Sequence, residues 1–397
     1  MNKPTIRFKG FEGEWKKVKI GDVAPLTGGF AFQSGQFKTL GVPIIRISNI
    51  LSSGIVGGDF VYYNEFKGDS EFRLYKGDVV IAMSGATTGK VATFEANDFG
   101  YQNQRVGKFS RTNLVNYELL SKLVSAPNFQ KKIISKLTSS AQPNASSKDI
   151  DSIDLVVPEE TEEQRALASY FTSLDAQIAA STSRLSSLKQ IKAASLLNMF
   201  PQKGETVPRV RFKGFQGEWK ERKLGEIAIV NPKCDLPKSF EYVDLESVVG
   251  TEMKSHRREF RESAPSRAQR LARKGDIFYQ TVRPYQKNNY LFNLDYSDYV
   301  FSSGYAQIQA LKDERFLFTV VQSDYFLKQV MDNCTGTSFP SINPTLLRNL
   351  IVYDCSIDEQ RAIGQYFTAL DAQITLHRER LEKLKQIKAA CLERMFA

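Results

Sequence analysis

The chain has 397 residues, a formal net charge of +10 and a hydrophobic content of 42%. This length suggests two or three domains, and the composition lets each of them bury a core. Four cysteines and two histidines occur without a CxxC spacing, so we expect no zinc site and a reducing, cytoplasmic setting. We also expect no signal peptide and no membrane span, because no apolar run approaches the roughly 18 residues that a span needs.

The basic balance permits two interpretations. Lysine and arginine displace counterions from phosphates, so an excess of them suits a nucleic-acid partner. A net charge of this size also serves solubility alone.

The first half of the chain predicts an α+β domain. Strands are indicated by alternating or β-branched segments at residues 15–20, 42–50, 76–85, 89–94 and 153–158. Two short helices are predicted at 117–126 and 128–137, and they meet at Pro127. The glycine-containing loop at 82–89 lacks the Gly-Lys-Ser/Thr ending of a P-loop, which favours a plain hairpin turn over a phosphate site.

Catalytic chemistry is difficult to place in this half. It contains no histidine and no cysteine, so an imidazole base, a thiolate nucleophile and most metal sites are absent from it. Its carboxylates show no pairing that indicates acid–base catalysis.

The chain contains two repeats. The segment RFKGFEGEWK at 7–16 recurs as RFKGFQGEWK at 211–220, and EQRALASYFTSLDAQI at 163–178 recurs as EQRAIGQYFTALDAQI at 359–374. Each unit therefore opens with a tryptophan-bearing tag and closes with a long helix. At the start of the first long helix, Thr161 and Gln164 predict a capping box.

Apolar residues in both helices alternate at spacings of four and three, which is typical of a coiled coil. The predicted helix-pairing positions are Leu167, Phe171, Leu174, Ile178, Leu185, Leu188, Ile363, Phe367, Leu370, Ile374, Leu381 and Leu384. Polar interruptions at Ser181/His377 and Lys192/Lys388 can fix the register. His377 is either a structural spacer or a functional residue, as a ligand or a pH switch.

The second half repeats the organisation of the first with different loops. A basic segment at 256–274 is predicted as a loop that lies along phosphates or is simply solvated, and 315–331 predicts two short helices. Tags and helices are nearly identical between the halves, whereas the loops share almost nothing. Recognition of two different half-sites would require this combination.

These repeats resemble those of the specificity subunits of type I restriction–modification enzymes. The resemblance covers the whole chain and rests on the RFKGF-x-GEW tags, the P-x-x-x-x-EQ entry at 158–164 (Asp354 replaces the proline in the copy), and the YFTSLDAQI and YFTALDAQI cores. It implies target recognition domains at 1–158 and 201–355, with conserved-type helices at 159–200 and 356–397.

The resemblance also implies a function and partners. Each recognition domain would bind half of a bipartite, asymmetric DNA target, and the helices would form an antiparallel coiled coil that fixes the gap. The helices would dock two methyltransferase subunits that carry S-adenosylmethionine, and motor–nuclease restriction subunits would join them. The chain itself would be non-catalytic and hold no cofactor or metal.

DNA-contacting residues are predicted from residue type and loop placement, because amides match adenine and arginine matches guanine. In the first domain they are Arg46, Asn49, Lys90, Gln102, Asn103, Gln104, Arg105, Gln142, Asn144, Ser146 and Lys148. In the second domain they are Arg283, Tyr285, Lys287, Asn288, Ser338, Ser341 and Asn343. For 102–105 a solvated strand end is the alternative.

Two other functional classes remain. One is a structural adaptor with two protein-binding arms on a coiled coil, which would show no salt-steep DNA affinity. The other is a stand-alone nuclease or methyltransferase, which would show turnover by the purified chain.

Overall fold

Residues 4–138, 145–296 and 298–396 are described by the structure, a computed structural model. The chain divides into a first unit, residues 1–182 with 380–397, and a second unit, residues 183–379. Each long helix contributes one segment to each unit. Within the described residues, no helix is both long enough and apolar enough to cross a membrane.

The first unit is built of short strands and helices that end in a long helix. Its strands are β1 (Lys16–Lys19), β2 (Leu26–Thr27), β3 (Val42–Ile45), β4 (Val61–Tyr63), β5 (Arg73–Leu74), β6 (Val79–Ala82), β7 (Val91–Thr93), β8 (Gly100–Gln102), β9 (Val106–Phe109) and β10 (Asp154–Val157). Its helices are α1 (Ile20–Val23), α2 (Tyr117–Ser125), α3 (Pro127–Thr138), α4 (Ser147–Asp151) and the long α5 (Thr161–Asn198).

The second unit has corresponding elements and one additional hairpin. Its strands are β11 (Lys220–Lys223), β12 (Ala228–Val230), β13 (Ser239–Val243), β14 (Val248–Val249), β15 (Glu252–Met253), β16 (Arg257–Phe260), β17 (Ala268–Leu271), β18 (Ile277–Gln280), β19 (Tyr290–Leu291), β20 (Tyr299–Ser302), β21 (Tyr305–Ala310) and β22 (Ile351–Asp354). Its helices are α6 (Leu224–Ile227), α7 (Glu314–Gln322), α8 (Asp324–Asp332), α9 (Pro344–Asn349) and the long α10 (Ile357–Met395).

The two units have the same sheet topology. In the first, one sheet has the order β2-β9-β6-β7 and another the order β4-β3-β8-β5; in the second, the orders are β12-β21-β18-β19 and β16-β13-β20-β17. Each unit has one parallel pair, β3 with β8 and β13 with β20. Antiparallel pairs β1–β10 and β11–β22 join the start of each unit to its last strand. The predicted α+β repeat is therefore confirmed.

A central strand in each unit separates two hydrophobic cores. Val79 and Ile81 of β6 point into the large core, while Val80 and Ala82 point into a smaller one. Because successive side chains of a strand alternate between faces, a strand buried on both faces must be apolar throughout. The uninterrupted run VVIA meets this requirement and confirms the predicted buried strand.

Each tag is attached to its long helix by an ion pair between a half-buried arginine and a buried glutamate. The Arg7 guanidinium donates from Nε to Oε1 of Glu163 (2.6 Å) and from Nη2 to Oε2 (2.7 Å), and Trp15 Nε1 adds a bond of 3.2 Å. Arg211 and Glu359 repeat the bidentate pair at 2.6 and 2.7 Å. These hydrogen bonds raise the pKa of Arg7.

The predicted capping box at the start of α5 is wrong. Gln164 donates from Nε2 to the carbonyl of Pro158 (2.8 Å) and accepts at Oε1 from the backbone N–H of Asn116 (2.7 Å). Its side chain thus connects the helix to the chain before it and to α2, because it lies on the buried face of the first turn.

The long helices run antiparallel in each unit, as predicted. In the first unit, Asp175 of α5 pairs with Lys388 of α10 (2.6 Å), and Tyr170 bonds to Cys391 (3.4 Å). In the second, Lys192 of α5 pairs with Asp371 of α10 (2.6 Å), and Ser195 bonds to Tyr366 (2.9 Å). Residue numbers rise along α5 while the numbers of the partner residues on α10 fall, so the two helices run in opposite directions within each unit.

The lysine interruptions therefore carry reciprocal ion pairs. Burial acts to raise the pKa of Asp175, but hydrogen bonds from Lys122 and Lys388 outweigh it and the pKa is lowered. Lysines at otherwise apolar positions consequently have specific partners on the other helix, and these pairs favour one register.

The predicted helix-pairing residues are buried or half-buried. Those nearest the start of each helix pack into the globular cores as well, namely Leu167 and Phe171 in the first unit and Ile363 and Phe367 in the second. Leu174, Leu185, Leu188, Leu370 and Leu381 are buried, and Ile178, Ile374 and Leu384 are half-buried. Their individual contributions to pairing stay predictions.

Two sequence-based expectations about local structure are wrong. The strand predicted at 42–50 ends at Ile45, and a 3₁₀ turn begins two residues later, at Ile47. The basic segment at 256–274 is not a loop: it forms β16 and β17, the two edge strands of one sheet. The arginines of this segment and the mostly exposed side chains of β16 hide its strand character in the sequence.

Replacing Arg7 by alanine is expected to lower the unfolding free energy of the first unit by roughly 2–3 kcal/mol, because Glu163 stays buried without its main partner. Urea unfolding can be followed in a Trp219→Phe background, where Trp15 is the remaining tryptophan. Lys17→Ala is the matched control, since its pair with Asp154 lies in the same unit, is exposed and contributes little to stability. Equal effects of the two substitutions would contradict the importance of the Arg7–Glu163 pair.

Candidate nucleic-acid interface

Three loops of the first unit meet at one end of its sheets. β3 and β8 are parallel neighbours, so their carboxyl ends lie at the same edge, and the turn at 103–105 leads directly into β9. The N–H of Asn103 donates to the Ile45 carbonyl (3.1 Å), and the N–H of Met83 donates to the Arg105 carbonyl (3.0 Å). The loops at 46–49, 83–90 and 103–105 therefore form one surface.

The segment before α4 joins the same surface, because the N–H of Ala145 donates to the Met83 carbonyl (2.9 Å). Ser146 and Lys148 are exposed there. Ser146 Oγ caps α4 by accepting from the N–H of Asp149 (3.1 Å), which gives this serine a structural role. Gln142 and Asn144, also predicted to contact DNA, lie outside the described residues.

Polar side chains on this surface are available for a ligand. Gln104 and Arg105 are exposed, and Asn103, Arg46 and Lys90 are half-buried. The side chain of Arg46 donates to the Asp59 carbonyl (3.3 Å). Among the described residues, the charged ends of Lys90, Arg105 and Lys148 have no hydrogen-bond or ion-pair partner.

Two predicted residues do not reach this surface. Gln102 is 0% exposed, and its Nε2 donates to the carbonyls of Thr27 (2.8 Å) and Val106 (2.8 Å). Asn49 is 1% exposed, and its Nδ2 donates to the carbonyls of Gly57 and Asp59. Both amides hold backbone in place, which corrects the prediction that they contact DNA.

The second unit builds the corresponding surface with the same backbone pattern. The N–H of Thr281 donates to the Gly304 carbonyl (3.0 Å), and the N–H of Ile342 donates to the Thr281 carbonyl (3.1 Å). Ser341 pairs with Val282 across a bridge. The loops at 281–289 and 335–343 therefore lie together, as the loops at 83–90 and 145–148 do in the first unit.

Some predicted residues of the second unit are occupied by structural contacts. Lys287 pairs with Asp324 (2.6 Å), and Asn288 Oδ1 accepts from the N–H of Gly250 (2.8 Å). Asn343 caps α9 by accepting from the N–H of Leu346 (2.9 Å). Tyr285 is 50% exposed, Ser338 is exposed, and Arg283 and Ser341 are half-buried.

Sequence reasoning missed residues that this surface contains. The turn at 302–304 is the counterpart of 103–105, and its Ser303 N–H donates to the carbonyl of Arg267 (2.6 Å), whose side chain is exposed. Phe339 is 66% exposed beside Ser338. The KGD motif at 76–78 and 274–276 aligns β6 with β18. The turns at 103–105 and 302–304 have no residues in common that would align them.

An aromatic pocket adjoins the loops of the first unit. The N–H of Gln104 donates to the carbonyl of Phe30 (2.9 Å), and Phe30 lines a cavity of about 450 Å³ together with Tyr63 and Phe66. Their rings pack edge-on or tilted, with centroids 5.1 Å apart for Phe30 and Phe66. The spacing of these aromatics in the sequence gives no sign of the pocket.

The basic segment of the second unit is partly neutralised. Arg257 pairs with Asp244 (2.7 Å) and Glu259 (2.8 Å), and Arg258 pairs with Asp298 (2.7 Å) and Glu241 (3.1 Å). The hydrogen bonds that Arg258 donates to Asp298 and Glu241 raise the pKa of Arg258. These two arginines stabilise the sheet edge, so the composition of the segment overstates its charge toward a ligand.

Among the described residues, no three His, Cys, Asp or Glu side chains are placed to hold a metal ion together. The features that the two surfaces share are hydrogen-bonding and cationic side chains on loops, carried by a repeated two-sheet fold.

This architecture is that of a protein with two copies of one fold, each carrying a loop surface at the corresponding place. The family model for the type I restriction modification DNA specificity domain matches residues 12–190 and again residues 216–386. The chain therefore belongs to this family of DNA specificity proteins, and the resemblance seen in the repeats is confirmed.

Two curated relatives are similar over part of the chain. The specificity subunit of the type I restriction enzyme EcoBI from Escherichia coli is 27% identical over 179 residues, which are 45% of this chain and 36% of that subunit. The MjaVIII specificity subunit from Methanocaldococcus jannaschii is 29% identical over 76 residues, 19% of this chain and 18% of that subunit. The matched stretches thus span about a third or less of these relatives.

Solved structures share the fold over nearly the whole chain. The S subunit of the type I restriction–modification system from M. genitalium has a TM-score of 0.67 at 15% identity and covers 100% of this chain and 99% of its own. A chain from a study of complex assembly and conformational transition in the type I R-M system has a TM-score of 0.50 at 18% identity, with coverages of 96% and 97%.

Replacing Arg105 and Asn103 by alanine is expected to weaken or alter DNA binding through one half-site, with a loss of roughly 1–3 kcal/mol of discrimination at the base that Arg105 contacts. Lys17→Ala is the charge-matched control, because Lys17 lies on β1 and pairs with Asp154. Competition binding with duplexes of varied sequence measures both. Unchanged affinity and preference in the double variant would show that the 103–105 turn does not contact DNA.

Proposed function

We propose that this chain is the DNA sequence-recognition subunit of a type I restriction–modification complex. Each unit binds one half of a bipartite, asymmetric target through the loops at the ends of its sheets. The observation that carries the proposal is that strand order and tag–helix docking are repeated, whereas the loops on the two surfaces differ in sequence, length and side-chain chemistry. Two different half-sites require such a difference.

The chain in this proposal assembles with methyltransferase and motor–nuclease subunits and catalyses no reaction itself. The long helices provide the docking surface for two methyltransferase subunits, which carry S-adenosylmethionine and extrude the target base from the duplex. Motor–nuclease subunits complete the restriction complex. The chain contributes recognition and assembly, in a cytoplasmic setting in which its four cysteines stay reduced.

The surface chemistry supports DNA over a protein ligand. Within the part of the chain that the structure describes, the cationic ends of Arg105, Lys90 and Lys148 are unpaired. They accompany the exposed amide of Gln104 and the half-buried amide of Asn103, a combination that suits phosphates flanking base edges. A protein-binding adaptor, the second candidate, would be favoured by a large exposed apolar patch at these loops. At the described loops of the second unit, the exposed large apolar side chains are Tyr285 and Phe339, and two such side chains do not make a large patch.

Competition binding by the chain assembled with its methyltransferase partner is expected to select one bipartite duplex sequence over others by a factor of 10³ or more, on the order typical of specific binding. The affinity should also fall steeply with salt, because several phosphates are neutralised on binding. Equal affinity for all duplexes, or an affinity insensitive to salt, would favour the adaptor instead.

A further inference from the structure

Two loop positions that need a left-handed backbone are filled differently in the two units. In the first unit they are Gly85 (φ +72°) and Gly89 (φ +84°), in the connection between β6 and β7. In the second unit β18 pairs with β19 in the corresponding register, Ile277 with Leu291 as Val79 with Thr93. The corresponding positions there hold Arg283 (φ +54°) and Lys287 (φ +53°). Two cations thus occupy sites that the first unit gives to glycine.

Arginine and lysine at these two positions make the local backbone conformation less stable than glycine would. A side chain with a Cβ is strained in the left-handed region, where glycine is not. The other non-glycine residue of positive φ in the described structure is Asn231, and asparagine tolerates this region better than most residues. Asn231 also gains two hydrogen bonds with the backbone of Gln307, at 2.7 and 2.9 Å.

Lys287 has a structural reason to occupy its strained position. Its ammonium group pairs with Asp324 (2.6 Å) and donates to the carbonyl of Gln322 (3.1 Å). It therefore bridges the end of α7 and the start of α8, and glycine could not make this connection.

Arg283 has no such reason within the described part of the chain. Its guanidinium makes no hydrogen bond or ion pair there, and its Nε is buried without a partner. The guanidinium carbon lies 5.8 Å from the ring centre of Phe339, which is 66% exposed. Strained residues without a structural partner concentrate at functional sites.

The backbone around Arg283 is held on both sides. Its N–H donates to the Pro340 carbonyl (2.8 Å), and its carbonyl accepts from the N–H of Gln286 (3.1 Å). The loop that carries Phe339 is closed by two hydrogen bonds between Thr335 and Ser341, both of 2.9 Å. Arginine and ring are therefore presented together on a fixed base, at the surface assigned to DNA.

We propose that Arg283, positioned over Phe339, recognises a guanine in the half-site bound by the second unit. This inference rests on the proposed function and assigns one base contact within it. The guanidinium presents two parallel N–H donors, which match the O6 and N7 acceptors of guanine in the major groove. Packing on Phe339 restricts the orientation of these two donors. A lysine has no such pair of donors, and an arginine that is free to move would not hold them in one orientation.

The test is selection from randomised duplexes by the full chain assembled with its methyltransferase partner. Arg283→Lys keeps the charge but not the fork, and Arg283→Gly restores the residue of the first unit. Both are expected to reduce discrimination for guanine at one position of the second half-site by roughly 10- to 100-fold. The other positions of the second half-site should be unchanged, which shows that the second unit of each variant is folded.

Lys287→Gly is the matched control, because it also replaces a left-handed cation by glycine. It is expected to lower the melting temperature through loss of the Asp324 pair and to leave base preference intact. Arg283→Gly is expected to leave the melting temperature nearly unchanged, since relief of backbone strain offsets the greater freedom of the unfolded chain.

Three results would overturn the inference while the proposed function stands. They are a wild-type second half-site without a required guanine, full discrimination retained by Arg283→Lys or Arg283→Gly, and loss of preference across the whole second half-site with a lowered melting temperature. A wild-type complex without any sequence preference would instead overturn the proposed function, and this inference with it.

Discussion

The buried carboxylates of Glu163 and Glu359 are the constraint on which each unit depends. Each is 1% exposed and accepts two hydrogen bonds from an arginine in a tag that lies about 150 residues earlier in the chain. A carboxylate removed from water is tolerated only with such partners. The pair therefore fixes where each long helix begins relative to the start of its globular part.

Aromatic packing extends this connection into the cores. Trp15 packs on Phe396, the residue after α10, with ring centres 6.1 Å apart, and Trp219 packs on Phe200, just after α5, at 5.9 Å. Each core thus contains the start of one long helix and the end of the other. The two pairs differ in one respect: Trp15 Nε1 donates to Glu163, whereas Trp219 Nε1 is buried without a partner in the described residues.

Because these contacts hold the scaffold, the loops at the strand ends are free to differ. Backbone hydrogen bonds join the loops to one another, as between Met83 and Arg105 or between Thr281 and Gly304, and the hydroxyl of Thr281 adds a bond to the Gly304 carbonyl. Backbone bonds place few demands on side chains, so the side chains that face outward can be chosen for a ligand. Strain at Arg283, where the first unit has glycine, is one consequence of that freedom.

The periodic and repeated parts of the chain could be predicted from its sequence, and the non-local parts could not. Heptads, the Pro127 junction and the apolar run of β6 are local signals, and they gave the helices and the buried strand correctly. Burial of Gln102 and Asn49 depends on which carbonyls other segments bring to them, so polar character alone suggested exposure. The edge strands at 257–260 and 268–271 were missed because their basic composition suggested a solvated loop, whereas their strand character depends on pairing with β13 and β20, which local sequence does not reveal.

The central claim is that a repeated scaffold holds two exchangeable recognition surfaces. The most direct measurement is the methylated sequence produced in cells by a chimera in which residues 16–157 replace residues 220–354 on the unchanged helices. The account predicts a target in which the first half-site sequence occurs in both halves and the second is lost. Retention of the original second half-site would contradict it.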